Sequence, residues 1–382
     1  MRKKIRGWIA GMLVAAMAGG LLPGSADPAF AAAAAVPQQP PPASLAPPVP
    51  PSEHPRLFVS SQADIEALKA KTETALMAPA WNAVVQASQS GAAREEVIKA
   101  KAFRYLIGDG DAYGRSAVEL FDAYAKSFKD TSARGIGSML LTGALVYDWA
   151  YDLLTDERKA AWNALFLQHA KKMEIGYPPH KQGAISGHGA EDQVLRDQLA
   201  WSVAVYDEHP EIYETISGII FERYVPVRNW YYASGMHHRG ESYGPYTFAS
   251  DIASALIFKA LGAERIYDDA QRQVLYHYLY TRRPDGSLLR NGDSFEDNQH
   301  PYGQYWRYSW PWMGAASYFQ DPYLQREFLR NYAGADGTGA REAGALDPVL
   351  ELLYAEPALE ARSARDLPLT RYFGSPHGTL VA

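Results

Sequence analysis

Two short stretches of this sequence combine residue types that can move protons. The first is Ser186-Gly187-His188-Gly189-Ala190-Glu191-Asp192. Glycine on both sides of His188 lets the backbone approach a ligand closely. A helix is expected to start near Ala190. Its positive end favours a bound carboxylate or sulfate, and it favours neutral imidazole, the form that accepts a proton. Glu191, three residues on, falls in the first turn on the same side. Two readings fit: a ligand-facing pair, or two residues that cap a helix.

The second stretch runs over 228–246 and contains Arg228-Asn229-Trp230-Tyr231-Tyr232 and His237-His238-Arg239-Gly240-Glu241-Ser242-Tyr243. It is too aromatic and too polar for an ordinary connection. A free tyrosine titrates near 10, so a phenolate at neutral pH costs roughly 4 kcal/mol, and a nearby cation lowers that cost. With Arg239 beside it, Tyr243 can take a proton and return it as a phenol to a leaving oxygen. Packing with a hydrogen-bonded hydroxyl is the other reading, open to every tyrosine here. A third stretch gathers Tyr302, Tyr305, Trp306, Tyr308, Trp310 and Trp312, either as faces for sugar rings or as a core-facing loop and helix start. Asn291-Gly292-Asp293 reads as a turn. No metal motif is present: His237 and His238 are adjacent and do not easily face one ion, and there is no H-E-x-x-H. A P-loop and a G-x-S-x-G are also missing.

Composition narrows the classes. The chain has 382 residues, enough for one large domain or two ordinary ones, and 47% are aliphatic or aromatic. It has no cysteine, which excludes disulfides, thiolate metal sites and a cysteine nucleophile. With 37 basic residues against 43 acidic it lacks the basic excess of a nucleic-acid binder.

The N-terminus reads as a secretory signal peptide over 1–31. Arg2, Lys3, Lys4 and Arg6 precede an uncharged apolar run over 8–22, and Ala29-Phe30-Ala31 fits a cleavage site. The run is too short for a spanning helix. Removal takes away those four basic residues and Asp27, leaving 33 basic against 42 acidic, a net −9. A polyanionic ligand would then need a locally basic cleft. Residues 32–53 are rich in alanine and proline and read as an extended spacer. The globular part is expected to begin near His54.

The elements that must position these residues read as successive helices from Ser60 onward. Apolar residues recur at helical spacing through 65–81, 97–107 and 118–128, and 139–154 reads as a buried helix. Thr155 caps the next. Further helices fit 190–207, 210–222, 246–262, 267–280, 310–319, 321–332 and 344–354. Hairpins of helices around a ring are expected, with a bundle or an α-solenoid as the alternatives. The segment 366–373 looks like a linker, and Gly378 to Ala382 like a strand with no partner left to pair it. An unpaired apolar edge is a liability, so the sequence is expected to continue into a β domain.

The motifs Gly187-His188-Gly189-Ala190-Glu191, Arg196-Asp197-Gln198-Leu199, Arg228-Asn229-Trp230-Tyr231-Tyr232, His238-Arg239-Gly240-Glu241-Ser242-Tyr243 and Arg282-Arg283-Pro284-Asp285-Gly286 recur in order. In them the chain resembles the heparinase II family of polysaccharide lyases, from about Glu53 to Gly378. The resemblance implies an all-α fold, an incomplete (α/α) toroid of helical hairpins over 54–358. Residues 359–382 would be a linker and the first strand of a truncated C-terminal β-sandwich domain.

The resemblance also implies roles. His188 is a proton acceptor or stabiliser, Glu191 holds a uronate carboxyl group, and Tyr243 is the general acid and a candidate base. Arg239, Arg134, His238 and Trp306 are the candidate substrate-binding residues. The implied partner is an anionic glycosaminoglycan such as heparin or heparan sulfate, with no nucleic acid and no membrane after signal cleavage. No cofactor is implied in this chain. The family's zinc site and a further catalytic histidine belong to the β-sandwich domain. The implied reaction is β-elimination, which yields a 4,5-unsaturated uronate. One wall of the cleft being absent, residues 32–382 are expected to fold but to be nearly inactive. The rival readings are a glycoside hydrolase on the same architecture, with Glu191 and Asp293 as its carboxylate pair, and a non-catalytic glycan-binding fragment.

Overall fold

The structure is a computed structural model. It describes residues 45–181, 183, 192–284, 287–289, 306, 308–332 and 346–382. The signal-peptide reading of 1–31, the spacer up to residue 44, His188, Glu191, Asn291-Gly292-Asp293, Tyr302 and Tyr305 lie outside the described residues. Among the described residues the fold is mostly helical, with one two-stranded antiparallel sheet. None of their helices is long and apolar enough to cross a membrane.

The core follows from helices that are apolar on every side. Helix α5, Ala133–Trp149, is buried almost continuously from Ile136 to Trp149, as its all-round apolar sequence requires. Helix α3, Glu95–Leu106, is nearly as enclosed. It packs on α2, Ala78–Ser88, on α4, Asp111–Ser127, and on α5. Helix α6, Asp156–Ala170, lies against α5, and the side chain of Thr155 accepts from Arg158 N at its start, as the sequence suggests.

The segment expected as one helix over 190–207 is a π-helical stretch, Gln193–Gln198, followed by α7, Leu199–Ala204. Both pack on α5. Helix α8, Pro210–Ile219, covers α7 and also runs into a π-helical stretch, Ile220–Tyr224, before α9, Val225–Tyr232.

Helix α10, Gly240–Ala260, starts six residues earlier than the sequence suggests, and it carries Pro245 inside. That proline has no N–H for the Glu241 carbonyl, which is why the sequence favoured a later start. Helix α11 is Gln273–Thr281, and α12 and α13 are Trp310–Phe319 and Pro322–Tyr332. Helix α10 packs on the π-helical stretch at 193–198 and on α12. Helix α14, Pro348–Tyr354, touches α12, and it also packs on α2, α3 and α1, the last being Gln62–Thr72.

Two expectations are corrected at the ends. The final strand does have a partner: Arg371–Phe373 (β1) pairs antiparallel with Thr379–Val381 (β2), and Tyr372 faces Leu380. The residues read as a linker supply the missing strand, and Phe373 buries itself against His277 and beside Gly235. The spacer also docks before residue 54. The Pro48 carbonyl accepts from the Tyr213 hydroxyl at 2.5 Å and the Pro51 carbonyl from Arg56 at 2.6 Å. Proline carbonyls remain acceptors although proline nitrogens cannot donate. Just beyond, Asp148 on α5 accepts from the backbone N–H groups of Arg56 and Leu57, and Arg56 reaches Asp207 at 2.8 Å. His54 lies between Asp148 and Asp207, at 2.7 and 2.8 Å.

Candidate active site

The first turns of α10 collect most of the described candidates. Tyr243, Tyr246 and Ser250 stand at i, i+3 and i+7, so they share one face of the helix. Tyr243 is half-buried, and the Arg239 guanidinium lies 4.5 Å from its ring centroid. That is a cation on an aromatic face, within the distance at which the ring quadrupole attracts it.

The start of this helix is fixed by one side chain of α11. The buried Tyr278 hydroxyl on α11 donates to the Gly240 carbonyl at 2.7 Å. The same hydroxyl occupies the space beside Gly244, where an added Cβ would come within 2.0 Å of it. Residue 244 therefore has to be glycine for the helix to sit this close.

Below Tyr243 lies a chain of hydrogen bonds through the two histidines. The backbone N–H of Arg239 donates to His237 Nδ1 at 3.2 Å. That assigns the His237 proton to Nε2, which faces the Tyr232 hydroxyl at 3.0 Å and Thr247 Oγ1 at 3.2 Å. Thr247 in turn donates to the Tyr243 carbonyl at 2.9 Å. The Tyr232 hydroxyl, left with its own proton, donates to His238 Nδ1 at 3.2 Å. Burial pushes the His237 imidazole well below its ordinary range, with His238 and the arginines Arg228 and Arg239 adding to the effect. His237 is thus neutral and structural. His238 is half-buried and stacks on it at 4.5 Å.

One turn along α10, Tyr246 meets residues from two other helices. Exposed Arg134, in the first turn of α5, lies 5.7 Å over its ring. Burial raises the Tyr246 phenol above its usual value, and Asp192 adds to that, so Tyr246 is a hydrogen-bond donor at neutral pH. Ser250 Oγ donates to Asp192, the residue that follows Glu191.

The π-helical stretch then supplies an ion pair, half-buried Arg196 to buried Asp197 at 2.7 Å. Burial pushes the Asp197 carboxyl up to about 6 despite Arg196 beside it. Asp197 fills the space beside Gly137 on α5, where a Cβ would come within 2.0 Å of its carboxylate. Glu95, at the start of α3, accepts from the Tyr124 hydroxyl at 2.5 Å and from Ser138, and its charge adds to the rise at Asp197.

The structure therefore brings together Tyr243, Arg239 and His238, and it sets Arg134 one helical turn away. Trp306 goes elsewhere. It is buried, stacks on Trp312 at 4.3 Å and donates its indole N–H to Glu327 at 2.9 Å. An indole so enclosed offers no face to a sugar. Tyr308 and Trp310, from the same aromatic stretch, instead contact Tyr246 at 5.9 and 5.5 Å.

Residues that the sequence left without a role are Tyr232, His237, Tyr246, Asp192, Asp197 and Ser250. The i, i+3, i+7 spacing of Tyr243, Tyr246 and Ser250 would have revealed the last tyrosine and the serine, had the helix been started at Gly240. Among the described residues no cluster of three or more His, Cys, Asp or Glu could hold a metal ion. No protein-family model matches the chain, and no curated protein matches it.

Proposed function

We propose that this protein is an exported polysaccharide lyase that cleaves a uronate-containing glycosaminoglycan by β-elimination, with Tyr243 as the proton-transferring residue. The observation that carries the reading is the half-buried Tyr243 with the Arg239 guanidinium over its ring, on a helix face that continues to Tyr246 beneath Arg134. Two cations beside two phenols, one of them held protonated, suit an anionic sugar whose C5 proton must be removed.

In this reading a donor at the uronate carboxyl group stabilises the charge that develops when C5 loses its proton. Glu191 in its protonated form, or one of the arginines, fills that role. Tyr243 or His188 takes the C5 proton. The C4–O4 bond breaks as the C4–C5 double bond forms, and Tyr243 as a phenol protonates the departing O4. No water is consumed. Asp192, which follows that stretch in sequence, is tied to α10 through Ser250.

The toroid belongs to the same proposal. Helices α3, α5, the stretch over 193–204, α10, α12 and α14 each pack on the next, and α14 packs back on α3. A circuit of this kind supports a ring of inner helices, each with an outer partner, over a bundle or an open solenoid.

The test is the mass of the products formed from a uronate polysaccharide by the full-length protein. Elimination gives an unsaturated oligosaccharide lighter by one water than the hydrolytic product. Products carrying the added water identify a glycoside hydrolase instead.

A further inference from the structure

The aromatic residues at 306–312 divide between the core and the candidate site. Trp310 and Trp312 are two residues apart at the start of α12, so at 3.6 residues per turn they point to nearly opposite sides. Trp312 turns inward and stacks on buried Trp306. Trp310 turns toward α10, which packs on α12. Its ring lies 5.5 Å from Tyr246 and 5.7 Å from Tyr308, and Tyr308 lies 5.9 Å from Tyr246. All three rings of this triad are half-buried.

The triad differs from a core cluster in its polar atoms. A buried indole usually finds an acceptor for its N–H, as Trp306 does at Glu327. The Trp310 N–H and the Tyr246 hydroxyl have no hydrogen-bond partner among the described residues. Two such donors beside half-buried aromatic rings suit a sugar. The C–H faces of a pyranose ring pack on a π-system, and its hydroxyls accept hydrogen bonds.

Charge does not select the ligand here. Burial raises the Tyr246 phenol most. Of the charges around it, Asp192 and Asp197 raise it further, and Arg196 and Arg134 lower it. Two groups of each sign therefore act on this ring, and both carboxylates are engaged, Asp192 by Ser250 and Asp197 by Arg196. Tyr246 stands three residues after Tyr243, about 4.5 Å of helix rise. The triad thus begins within about one sugar residue of the proton-transferring phenol.

We propose that Tyr246, Tyr308 and Trp310 form a subsite for the sugar next to the cleaved uronate, the ring packing on Trp310 and Tyr308 and its hydroxyls accepting from the Tyr246 phenol and the Trp310 indole. The subsite rests on the reading of Tyr243 as the residue at the cleaved bond. It reads the neighbouring ring by its shape and hydroxyls, whether or not that ring is sulfated.

The probes are unsulfated heparosan and heparan sulfate. Cleavage by the full-length protein is followed as new reducing ends, which elimination and hydrolysis both create. Ultraviolet absorbance of the same digests reports elimination alone. Trp310→Leu should raise KM about 5–100-fold, the scale of losing one stacking ring, with kcat little changed because the lost binding is uniform. Trp310→Phe keeps a ring and should recover most of this, which separates lost stacking from a misfolded protein. Tyr246→Phe loses only the donor and should raise KM about 2–10-fold. The rises should be alike for the two polymers.

An unchanged KM in Trp310→Leu overturns the proposal. So does a rise confined to the sulfated polymer, or failure of the wild type to cleave either one. A raised KM without ultraviolet absorbance keeps the subsite and rejects the lyase reading. Absorbance with an unchanged KM does the reverse.

Discussion

Arg239 and Tyr243 meet as a cation over an aromatic face, 4.5 Å from guanidinium to ring centroid, in the first turn of one helix. The contact sets a positive charge over the ring face, close enough to favour an anionic substrate. Replacing Arg239 by glutamine keeps the hydrogen-bonding end and removes the charge. The expected result is a 5–30-fold fall in kcat/KM, from about 1–2 kcal/mol for such a contact. The loss should shrink as salt is raised, because screening weakens the same attraction in wild type. Steady-state kinetics at two ionic strengths measure both effects.

The close approach of Gly244 to Tyr278 gives a test of how Tyr243 is positioned. Gly244→Ala sets a methyl group against the Tyr278 hydroxyl and displaces its hydrogen bond to the Gly240 carbonyl. Overpacking of this kind costs about 1–3 kcal/mol. Adding Tyr278→Phe makes room, so the double variant should regain part of the Tm lost by Gly244→Ala. It should not regain full activity, because the start of α10 stays untied. Additive losses in Tm would contradict this geometry.

Most of the helical architecture was legible in the sequence, because an all-round apolar segment such as α5 can only be a core helix and Thr155 marks a start by its chemistry. The start of α10 was not legible. Pro245 argues locally for a break, and contacts from Tyr278 and His237 help to hold this first stretch in the helix. The same override hid the shared face of Tyr243, Tyr246 and Ser250. The π-helical stretch at Gln193–Gln198 leaves no signature in residue periodicity, yet it is what turns Asp197 inward toward Gly137. Trp306 was misplaced because an aromatic run reads alike whether its faces meet sugar or other indoles. The hairpin at 371–381 was missed because three-residue strands are too short to alternate.

Asp197 makes stability depend on pH in a defined direction. Its carboxyl is raised to about 6 in the folded protein, against about 4 in an unfolded chain. The folded state therefore holds this proton more tightly. The stability it contributes is complete below about pH 4 and is lost as pH rises through about 6. Asp197→Asn cannot ionise and lacks this loss. Its Tm relative to wild type should become more favourable between about pH 4 and pH 7. A relative Tm that falls over that window contradicts the assignment.

Phe373 ties the C-terminal hairpin to the helices through His277, Tyr280 and Gly235. Phe373→Ala should cost about 3 kcal/mol or more, the scale for removing a buried phenylalanine. Limited proteolysis should then cut within 367–382 well before the helices. An unchanged Tm and unchanged cleavage pattern would show that the hairpin is not docked.

The central claim is tested most directly by ultraviolet absorbance during digestion of a uronate polysaccharide by the full-length protein, with wild type and Tyr243→Phe compared under the same conditions. The account predicts steady growth of absorbance from the unsaturated product for wild type. For Tyr243→Phe it predicts a rate lower by about 10²–10⁴, with substrate affinity retained because only the hydroxyl is lost. New reducing ends without that absorbance, or a variant that keeps most of the wild-type rate, contradicts it.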